Sequence, residues 1–304
     1  MRENEELKVG HGRVLSYAIY GSPVPKTTVF YFHDFLSCGK EGKIWHTASS
    51  KLHVRLVSAS RPGMGDSTYN PDRSLLDWPK DVLALADHLK VQRFYVVGLG
   101  SGGPYVLACV RNIPKERLAG VAVVSSLYPV STETVHMPFF PRFLTTWIGP
   151  YVPGSLDLFI DMTMGKAARD PDPKVFDDWL IKEVESRRPK VDQDVIINEQ
   201  NRWMFLSAAR DSLKQGSQGL AWETRLVRAP WEFELQELKV GDEGIPLTLW
   251  HGSEDTNCPL EMVEKAKEFM PESRLCVKQD EGHFSLAFGN QEEILGDLIG
   301  VEWL

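Results

Sequence analysis

The fold is decided by ten residues in the first half of the sequence, Val96-Val97-Gly98-Leu99-Gly100-Ser101-Gly102-Gly103-Pro104-Tyr105. An apolar run that ends in glycines and precedes a helical pattern predicts a buried strand that turns sharply into a helix. Such a turn holds one residue in a strained backbone conformation at the top of a sheet, and the residues two positions away must be small. Gly98 and Gly102 meet that requirement, so Gly100 occupies the apex.

Strand and helix patterns alternate on both sides of this turn. Residues 7–20 have the glycine punctuation and alternation of an antiparallel hairpin. Short β-branched and aromatic runs predict buried strands at residues 27–32, 54–59, 94–97, 120–125, 246–250 and 274–278. Helical periodicity predicts helices at residues 74–90, 101–111, 262–269 and 291–298. This alternation predicts an α/β protein with a mostly parallel central sheet and right-handed crossovers.

The pattern changes between residues 127 and 240, where prolines, tryptophans and helical periodicities replace strands. The sequence therefore predicts a core domain of residues 1–126 and 241–304. A helical cap of residues 127–240 is inserted in it after the sixth strand. The cap is rich in aromatic residues, several of them between residues 139 and 151. A cleft between cap and core would suit a small hydrophobic substrate.

Composition excludes several classes of protein. The chain has 304 residues, 42% of them hydrophobic, and a net charge of -8, without the clustered basic surface that nucleic acid requires. The four scattered cysteines are typical of reduced thiols, the N-terminus lacks a secretory signal, and the apolar runs are too short to cross a bilayer. We expect a cytoplasmic protein with no membrane partner, no metal and no cofactor. The sequence leaves the oligomeric state open, a homodimer included.

The overall pattern, especially Glu41-Gly42 and Leu76-Asp77-Trp78-Pro79, looks similar to microbial and fungal α/β hydrolases. Five segments resemble motifs of the α/β-hydrolase superfamily. The turn at Gly100 resembles the nucleophile elbow G-x-S-x-G, with glycine in the position of the serine. The other four segments resemble the oxyanion loop H-G-x-P, the turn R-P-G-x-G-x-S, the turn carrying the triad acid, and the loop carrying the triad histidine. They are His33-Asp34-Phe35-Leu36-Ser37, Arg61-Pro62-Gly63-Met64-Gly65-Asp66-Ser67, Trp250-His251-Gly252-Ser253-Glu254-Asp255 and Glu281-Gly282-His283.

The resemblance implies a site in which His283 is a general base or acid and Asp255 orients it, with Glu254 as the substitute acid. It also implies an oxyanion hole made by the backbone N–H groups of Ser101 and Phe35. Gly100 cannot form an acyl-enzyme, because that step needs an activated hydroxyl or thiol. The expected function is therefore acid–base chemistry of the lyase, isomerase or cyclase type. Its substrate would be a small hydrophobic oxygenated metabolite of specialised metabolism.

Two residues of the oxyanion loop depart from the motif, since Asp34 replaces glycine and Leu36 replaces proline. A carboxylate pointing into the site would oppose a developing oxyanion, so we expect Asp34 to face solvent. The alternative is that Asp34 points inward as a general acid or a substrate-binding group.

Other interpretations stay open. A register shift by one residue would make Ser101 the nucleophile of an ester or lactone hydrolase, and Cys38 is a remoter nucleophile. Gly98, Gly100 and Gly103 also match the dinucleotide fingerprint G-x-G-x-x-G, but the next strand ends without the required carboxylate. The chain could be a catalytically inactive ligand-binding pseudoenzyme. Gly100 could also be an engineered replacement of a serine.

Overall fold

The computed structural model describes residues 1–129 and 154–301. One sheet of eight strands forms its centre, in the order β1-β2-β4-β3-β5-β6-β7-β8. The first two strands are antiparallel to each other, β2 is antiparallel to β4, and the remaining pairs are parallel. The strands are β1 Arg2–Val9, β2 Arg13–Gly21, β3 Thr27–Phe32, β4 Val54–Ala59, β5 Phe94–Leu99, β6 Leu118–Val124, β7 Leu247–Gly252 and β8 Arg274–Lys278.

Helices cover the sheet and fill the described part of the segment between β6 and β7. Those flanking the sheet are α1 His46–Lys51, α2 Trp78–His88, α3 Gly103–Asn112, α10 Leu260–Phe269, α11 His283–Gly289 and α12 Gln291–Leu298. Those between β6 and β7 are α4 Ser155–Ile160, α5 Lys166–Ala168, α6 Pro173–Arg187, α7 Lys190–Ile197, α8 Glu199–Ser212 and α9 Gln218–Arg228. A π-helical turn, Asp161–Gly165, joins α4 to α5. Short 3-10 turns lie at Gly10–Gly12, Gly39–Trp45, Leu75–Asp77, Gly100–Gly102 and Leu235–Glu237.

Both faces of the sheet are buried, which explains why its central strands are continuously apolar. In β3, Phe30 and Phe32 belong to one hydrophobic cluster, whereas Val29 and Tyr31 belong to a second. Because successive side chains of a strand point to opposite faces, these two clusters lie on the two sides of the sheet.

The predicted α/β fold is confirmed, and several bounds match to the residue. Strands β3, β4 and β8 and helix α12 lie where the sequence predicts them. The predicted helix at residues 101–111 is correct in type, but the α-helix starts only at Gly103, after a 3-10 turn. The loop predicted to carry His283 is wrong in one respect, because His283 is the first residue of α11.

The aromatic cap residues between 139 and 151 lie outside the described residues. No helix in the described ranges is both long enough and apolar enough to cross a membrane.

Candidate active site

The turn between β5 and α3 has the tight backbone that its glycines predict. Gly100 has φ +53°, a conformation that side chains rarely adopt. A Cβ atom on Gly98 would lie 2.6 Å from Cγ2 of Val106, and one on Gly102 would lie 2.3 Å from the carbonyl oxygen of Phe32. The two flanking positions therefore admit glycine alone without rearrangement, and the apex residue is presented at the carboxyl edge of the sheet.

The carboxylate of Asp34 fills the space above this apex. A Cβ atom on Gly100 would lie 1.8 Å from Oδ1 of Asp34 and 2.3 Å from its Cγ. Asp34 is only 6% exposed, so the expectation that it faces solvent is wrong and the alternative of an inward carboxylate holds. The physical reason is that Gly100 leaves a vacant volume, lined by N–H donors, which a carboxylate from the neighbouring strand end can occupy.

His283 lies between two carboxylates. Its Nδ1 is 2.9 Å from Oδ2 of Asp255, and its Nε2 is 3.0 Å from Oδ2 of Asp34. The other oxygen of Asp255 accepts the backbone N–H groups of Asn257 and Cys258 at 2.8 and 2.9 Å, which fixes the orientation of this carboxylate. The structure thus brings His283 and Asp255 together, whereas Glu254 is exposed at the surface.

The two backbone N–H groups expected to form an oxyanion hole instead serve Asp34. The N–H of Ser101 donates to Oδ1 of Asp34 at 2.8 Å. A backbone hydrogen bond from Phe35 also lowers the pKa of this carboxyl group. The protein's own carboxylate therefore occupies the position that the resemblance assigns to a substrate oxyanion.

The three side chains form an ion triad. Burial by itself raises the pKa of Asp34, but the charge of His283, its hydrogen bond and the two N–H donors outweigh burial and lower it. Burial likewise acts against charge on Asp255, and His283 again lowers the resulting pKa. Burial lowers the pKa of His283, but the two carboxylates together raise it well above its ordinary value. At neutral pH the triad is accordingly carboxylate, imidazolium, carboxylate.

Hydrogen bonds with the side chains of Glu41 and His33 fix the backbone of the loop that carries Asp34. The Asp34 N–H donates to Oε2 of Glu41 at 2.8 Å, and the Tyr31 hydroxyl donates to the same oxygen at 2.6 Å. Burial and the charge of Asp34 raise the pKa of Glu41 to about 7. His33 accepts the Arg61 backbone N–H at Nε2, so its Nδ1 carries the proton and donates to the Asp34 carbonyl oxygen at 2.8 Å. These contacts fix the backbone direction from which the Asp34 side chain leaves.

The Ser101 side chain points into a different network. Its hydroxyl accepts from Nη2 of Arg61 at 2.9 Å and donates to Oε1 of Glu223 at 3.2 Å. Glu223 is fully buried and also contacts Arg61 at 2.6 Å, Arg73 at 3.2 Å and the Tyr105 hydroxyl at 2.7 Å. In the described residues, therefore, the partners of the Ser101 hydroxyl are ionic groups rather than His283.

Two groups near His283 come from the segment between β6 and β7, and sequence reasoning missed both. Asp192, fully buried on α7, accepts the backbone N–H groups of His283, Phe284 and Ser285 at 3.1, 2.8 and 2.8 Å. The guanidinium of Arg188 stacks 5.6 Å from the centre of the Phe284 ring and interacts with the charge of Asp34. Neither residue belongs to a local motif, so only the three-dimensional contacts reveal them.

One group of potential metal ligands lies within the described residues. Donor atoms of Asp255, Cys258 and His283 are within 4.8 Å of one another. Burial raises the pKa of the Cys258 thiol to about 11, and Asp255 and His283 already hydrogen-bond to each other. These features favour the hydrogen-bonded pair over a metal centre, because a metal needs the thiolate. Burial also raises the pKa of Cys38 to about 12, which makes that thiol a poor nucleophile.

Comparisons with known proteins agree with this architecture. A model of the family described as "Alpha/beta hydrolase family" matches residues 31–295. An uncharacterized hydrolase, YcgS of Bacillus subtilis strain 168, is 25% identical over 138 residues, which are 44% of this chain and 47% of that protein. The match thus spans about half the length of that relative.

Solved structures share the fold at low identity. An esterase from Exiguobacterium antarcticum has a TM-score of 0.68 at 16% identity, with 99% of each chain covered. The enol-lactonase from Burkholderia xenovorans LB400 has a TM-score of 0.67 at 18% identity, with 97% of this chain and 100% of that chain covered. At these identities the likeness is one of fold.

Proposed function

The chain belongs to the alpha/beta hydrolase family, and within it we propose an enzyme whose reacting groups are Asp34 and His283, oriented by Asp255. The single observation that supports this most is the carboxylate of Asp34. It lies where the side chain of an elbow nucleophile would lie and is 3.0 Å from His283 Nε2. A carboxylate and an imidazolium placed together can accept one proton and deliver another without a cofactor.

The role of Asp34 differs from the expected one, whereas His283 takes the acid role, one of the two that the resemblance implies. Asp34 is the anion of the pair and is the proton acceptor, whereas His283 carries the proton and is the donor. Asp34 takes a proton from a hydroxyl group or from a carbon next to a carbonyl, and His283 protonates the oxygen on which negative charge develops. Elimination, isomerisation and retro-addition all need only these two transfers, which are typically worth about 10²–10⁴-fold in rate. Each transfer leaves the oxidation state of the substrate unchanged.

The substrate that we propose is a small, largely apolar, oxygenated molecule. Phe284 packs beside His283 at a ring distance of 4.9 Å, and Phe205 contacts Phe284 at 5.4 Å. Aromatic walls around a few convergent polar groups are typical of small-molecule sites. We further propose a cytoplasmic location, because all four cysteines are free thiols.

A serine hydrolase that uses Ser101 is less well supported, because its hydroxyl is engaged by Arg61 and Glu223. A ligand-binding pseudoenzyme needs no ion triad at all. Burying three charges costs free energy even when they are paired, and simple binding gives no reason to retain them, which favours a catalytic function.

The test is a proton-transfer assay in D₂O followed by NMR. Cyanohydrins, β-hydroxy ketones and 1,3-diketones are incubated with the wild type, Asp34→Asn, His283→Gln and the control Asp170→Asn. Asp170 is an exposed aspartate, so its variant carries the same chemical change away from the site. We expect deuterium exchange or cleavage with the wild type and the control, and a loss of about 10²-fold or more in the two site variants.

Two results would overturn the proposal. A stoichiometric fluorophosphonate adduct that disappears in Ser101→Ala would make the protein a serine hydrolase. Tight binding of one of these molecules, unchanged in Asp34→Asn and His283→Gln and without any turnover, would make it a binding protein.

A further inference from the structure

We propose that Arg188 is a further catalytic residue, which stabilises the negative oxygen of an enolate formed from a small apolar ketone or 1,3-diketone. This inference rests on the proposed function, because the enolate forms when Asp34 removes a proton next to the carbonyl group. It adds the group that stabilises the resulting charge, and it narrows the substrate class to enolisable carbonyl compounds.

The two backbone N–H groups expected to stabilise a substrate oxyanion are already engaged. The N–H of Ser101 donates to Oδ1 of Asp34 at 2.8 Å, and a backbone hydrogen bond from Phe35 serves the same carboxylate. When Asp34 takes a proton from carbon, the C–H electron pair forms the C=C bond and the carbonyl π pair moves to oxygen. One negative charge thereby passes from Asp34 to the substrate, and a fixed cation next to the substrate can stabilise it.

The backbone of Arg188 is fixed on both sides. Arg188 lies between α6 and α7, where its N–H donates to the Val184 carbonyl oxygen at 3.0 Å and its own carbonyl oxygen accepts Nε2 of Gln193 at 2.8 Å. Its extended conformation, with φ -98° and ψ 149°, is the one that a residue before proline favours. The side chain therefore leaves the backbone in a defined direction, although the residue belongs to neither helix.

The guanidinium group of Arg188 extends from this connection to the ion triad. It stacks on the ring of Phe284 at 5.6 Å, and that ring lies 4.9 Å from the ring of His283. Among the carboxylates near it, Asp34 has the strongest charge interaction with Arg188. A flat apolar substrate that packs against Phe284 and reaches Asp34 therefore lies beside this cation.

Arg188 has its hydrogen-bond donors available. In the part of the chain that the structure describes, no carboxylate forms an ion pair with its guanidinium group, and no side chain accepts a hydrogen bond from it. Arg61 and Arg73, by contrast, both pair with Glu223. Burial lowers the pKa of Arg188 and the nearby negative charges oppose this, but an arginine stays protonated in either case. A half-buried cation without a paired anion is costly, and a substrate oxyanion supplies that anion.

The rate experiment is the exchange assay in D₂O with 1-phenylbutane-1,3-dione. It compares Arg188→Gln and Arg188→Lys with Arg187→Gln, which makes the same chemical change at the exposed last residue of α6. We expect kcat to fall by about 10²-fold in Arg188→Gln with a smaller change in KM, because the charge appears only after proton transfer. Arg188→Lys keeps the charge and should lose less, and Arg187→Gln should match the wild type.

A binding experiment separates this role from a structural one. Asp34→Asn gives the site the charge that it has after Asp34 has accepted a proton. Calorimetry on this variant, with and without Arg188→Gln, compares the enolate of dimedone, a stable anion at neutral pH, with its neutral O-methyl enol ether. We expect the preference for the enolate to fall by about 10-fold or more when Arg188 is replaced. A residue needed only for folding would change the affinity for both ligands alike.

The inference is wrong if Arg188→Gln exchanges at the wild-type rate. It is equally wrong if the enolate does not bind, or if its preference over the ether is unchanged in Arg188→Gln. Absence of exchange in the wild type with every substrate would instead contradict the proposed function, and the binding comparison would still decide the role of Arg188. Failure of this inference and failure of the proposed function are therefore distinguishable.

Discussion

Gly100 and Asp34 form one structural unit, although they belong to different loops. The apex glycine has φ +53° and no side chain, and the Asp34 carboxylate fills the resulting space. Asp34 is incompatible with the serine that the motif has at position 100, because the Cβ atom of that serine would collide with the carboxylate. The pair therefore has to be changed together if the site is to become a serine site.

This dependence predicts a non-additive double mutant. Gly100→Ser alone should lower the free energy of unfolding by about 2 kcal/mol or more, because its Cβ atom would clash with Asp34 and its backbone φ is strained. Asp34→Gly should also destabilise the protein, because it removes one of the two carboxylates that pair with His283. The double variant should be more stable than the sum of both effects predicts, and a fluorophosphonate should label its new hydroxyl. Urea unfolding measures the cycle, and strict additivity would contradict the steric coupling.

The ion triad predicts an unusual pH profile. A histidine that acts as a free base loses activity below about pH 6.5, where it becomes protonated. Here His283 must carry the proton and Asp34 must not, and the pKa of Asp34 is lowered whereas that of His283 is raised. Activity should therefore be level through neutral pH. It should fall in acid only when Asp34 becomes protonated, and in alkali when His283 loses its proton.

The measurement is the rate on any substrate found in the exchange assay, taken across the acid and alkaline limits. The sign for stability follows from the same shifts. The contribution of His283 is present below its unfolded pKa and is lost as pH rises through the raised value, whereas that of Asp34 is lost as pH falls through its lowered value. A rate that rises with a midpoint near pH 6.5 would contradict the triad.

At the scale of elements, helix α11 depends on a residue from another helix. It begins at His283, and Asp192 of α7 accepts its first three backbone N–H groups. A Cβ atom on Gly282 would lie 2.6 Å from Oδ1 of Asp192, so glycine is what permits this approach. The first turn of α11, and with it the backbone of His283, is therefore fixed by the segment between β6 and β7.

Replacing this cap should affect both stability and catalysis. Asp192→Ala leaves three buried N–H donors without this acceptor and should lower the free energy of unfolding by about 2 kcal/mol or more. Asp192→Asn keeps the size of the side chain but has one fewer accepting oxygen, so its free energy of unfolding should fall by less. Asp194→Ala changes an exposed aspartate of the same helix and should stay within about 0.5 kcal/mol of the wild type. Equal unfolding free energies for Asp192→Ala and Asp194→Ala would show that the cap is not needed.

The sequence predicts those features that local patterns determine. Strands β3 and β4 are short apolar runs, and Gly100, Asp255 and His283 lie in contiguous motifs, so each could be found from neighbouring residues. The direction of the Asp34 side chain depends on a vacant volume in another loop, which no local pattern records. The signal in the sequence was a reciprocal departure from the two motifs: Asp34 stands where the oxyanion loop has glycine, and Gly100 stands where the elbow has serine. Asp192 and Glu223 offered no such signal, because their partners are distant in sequence.

At the scale of the whole molecule, a buried ionic cluster connects the sheet to the inserted helices. Glu223 of α9 lies between Arg61 and Arg73, which follow β4, and it accepts the hydroxyl of Tyr105 on α3. Burial raises the pKa of Glu223, but the two arginines outweigh burial and lower it. Glu223 therefore keeps its negative charge inside the protein. Among the described residues, it is the one acidic side chain that pairs with the guanidinium groups of Arg61 and Arg73.

Removing that charge should loosen the inserted helices from the core. Glu223→Gln keeps the shape but leaves two buried guanidinium groups without a counter-charge, and loss of one partner of a buried pair costs about 3–5 kcal/mol. Glu185→Gln, an exposed change on α6, is the matched control and should stay within about 0.5 kcal/mol of the wild type. Urea unfolding measures both, and limited proteolysis between β6 and β7 should be faster in Glu223→Gln. Arg61 also donates to the hydroxyl of Ser101, and the backbone N–H of Ser101 donates to Asp34. We therefore expect Glu223→Gln to lower activity as well. Unfolding free energies of Glu223→Gln and Glu185→Gln that coincide would mean that apolar packing alone holds the inserted helices on the sheet.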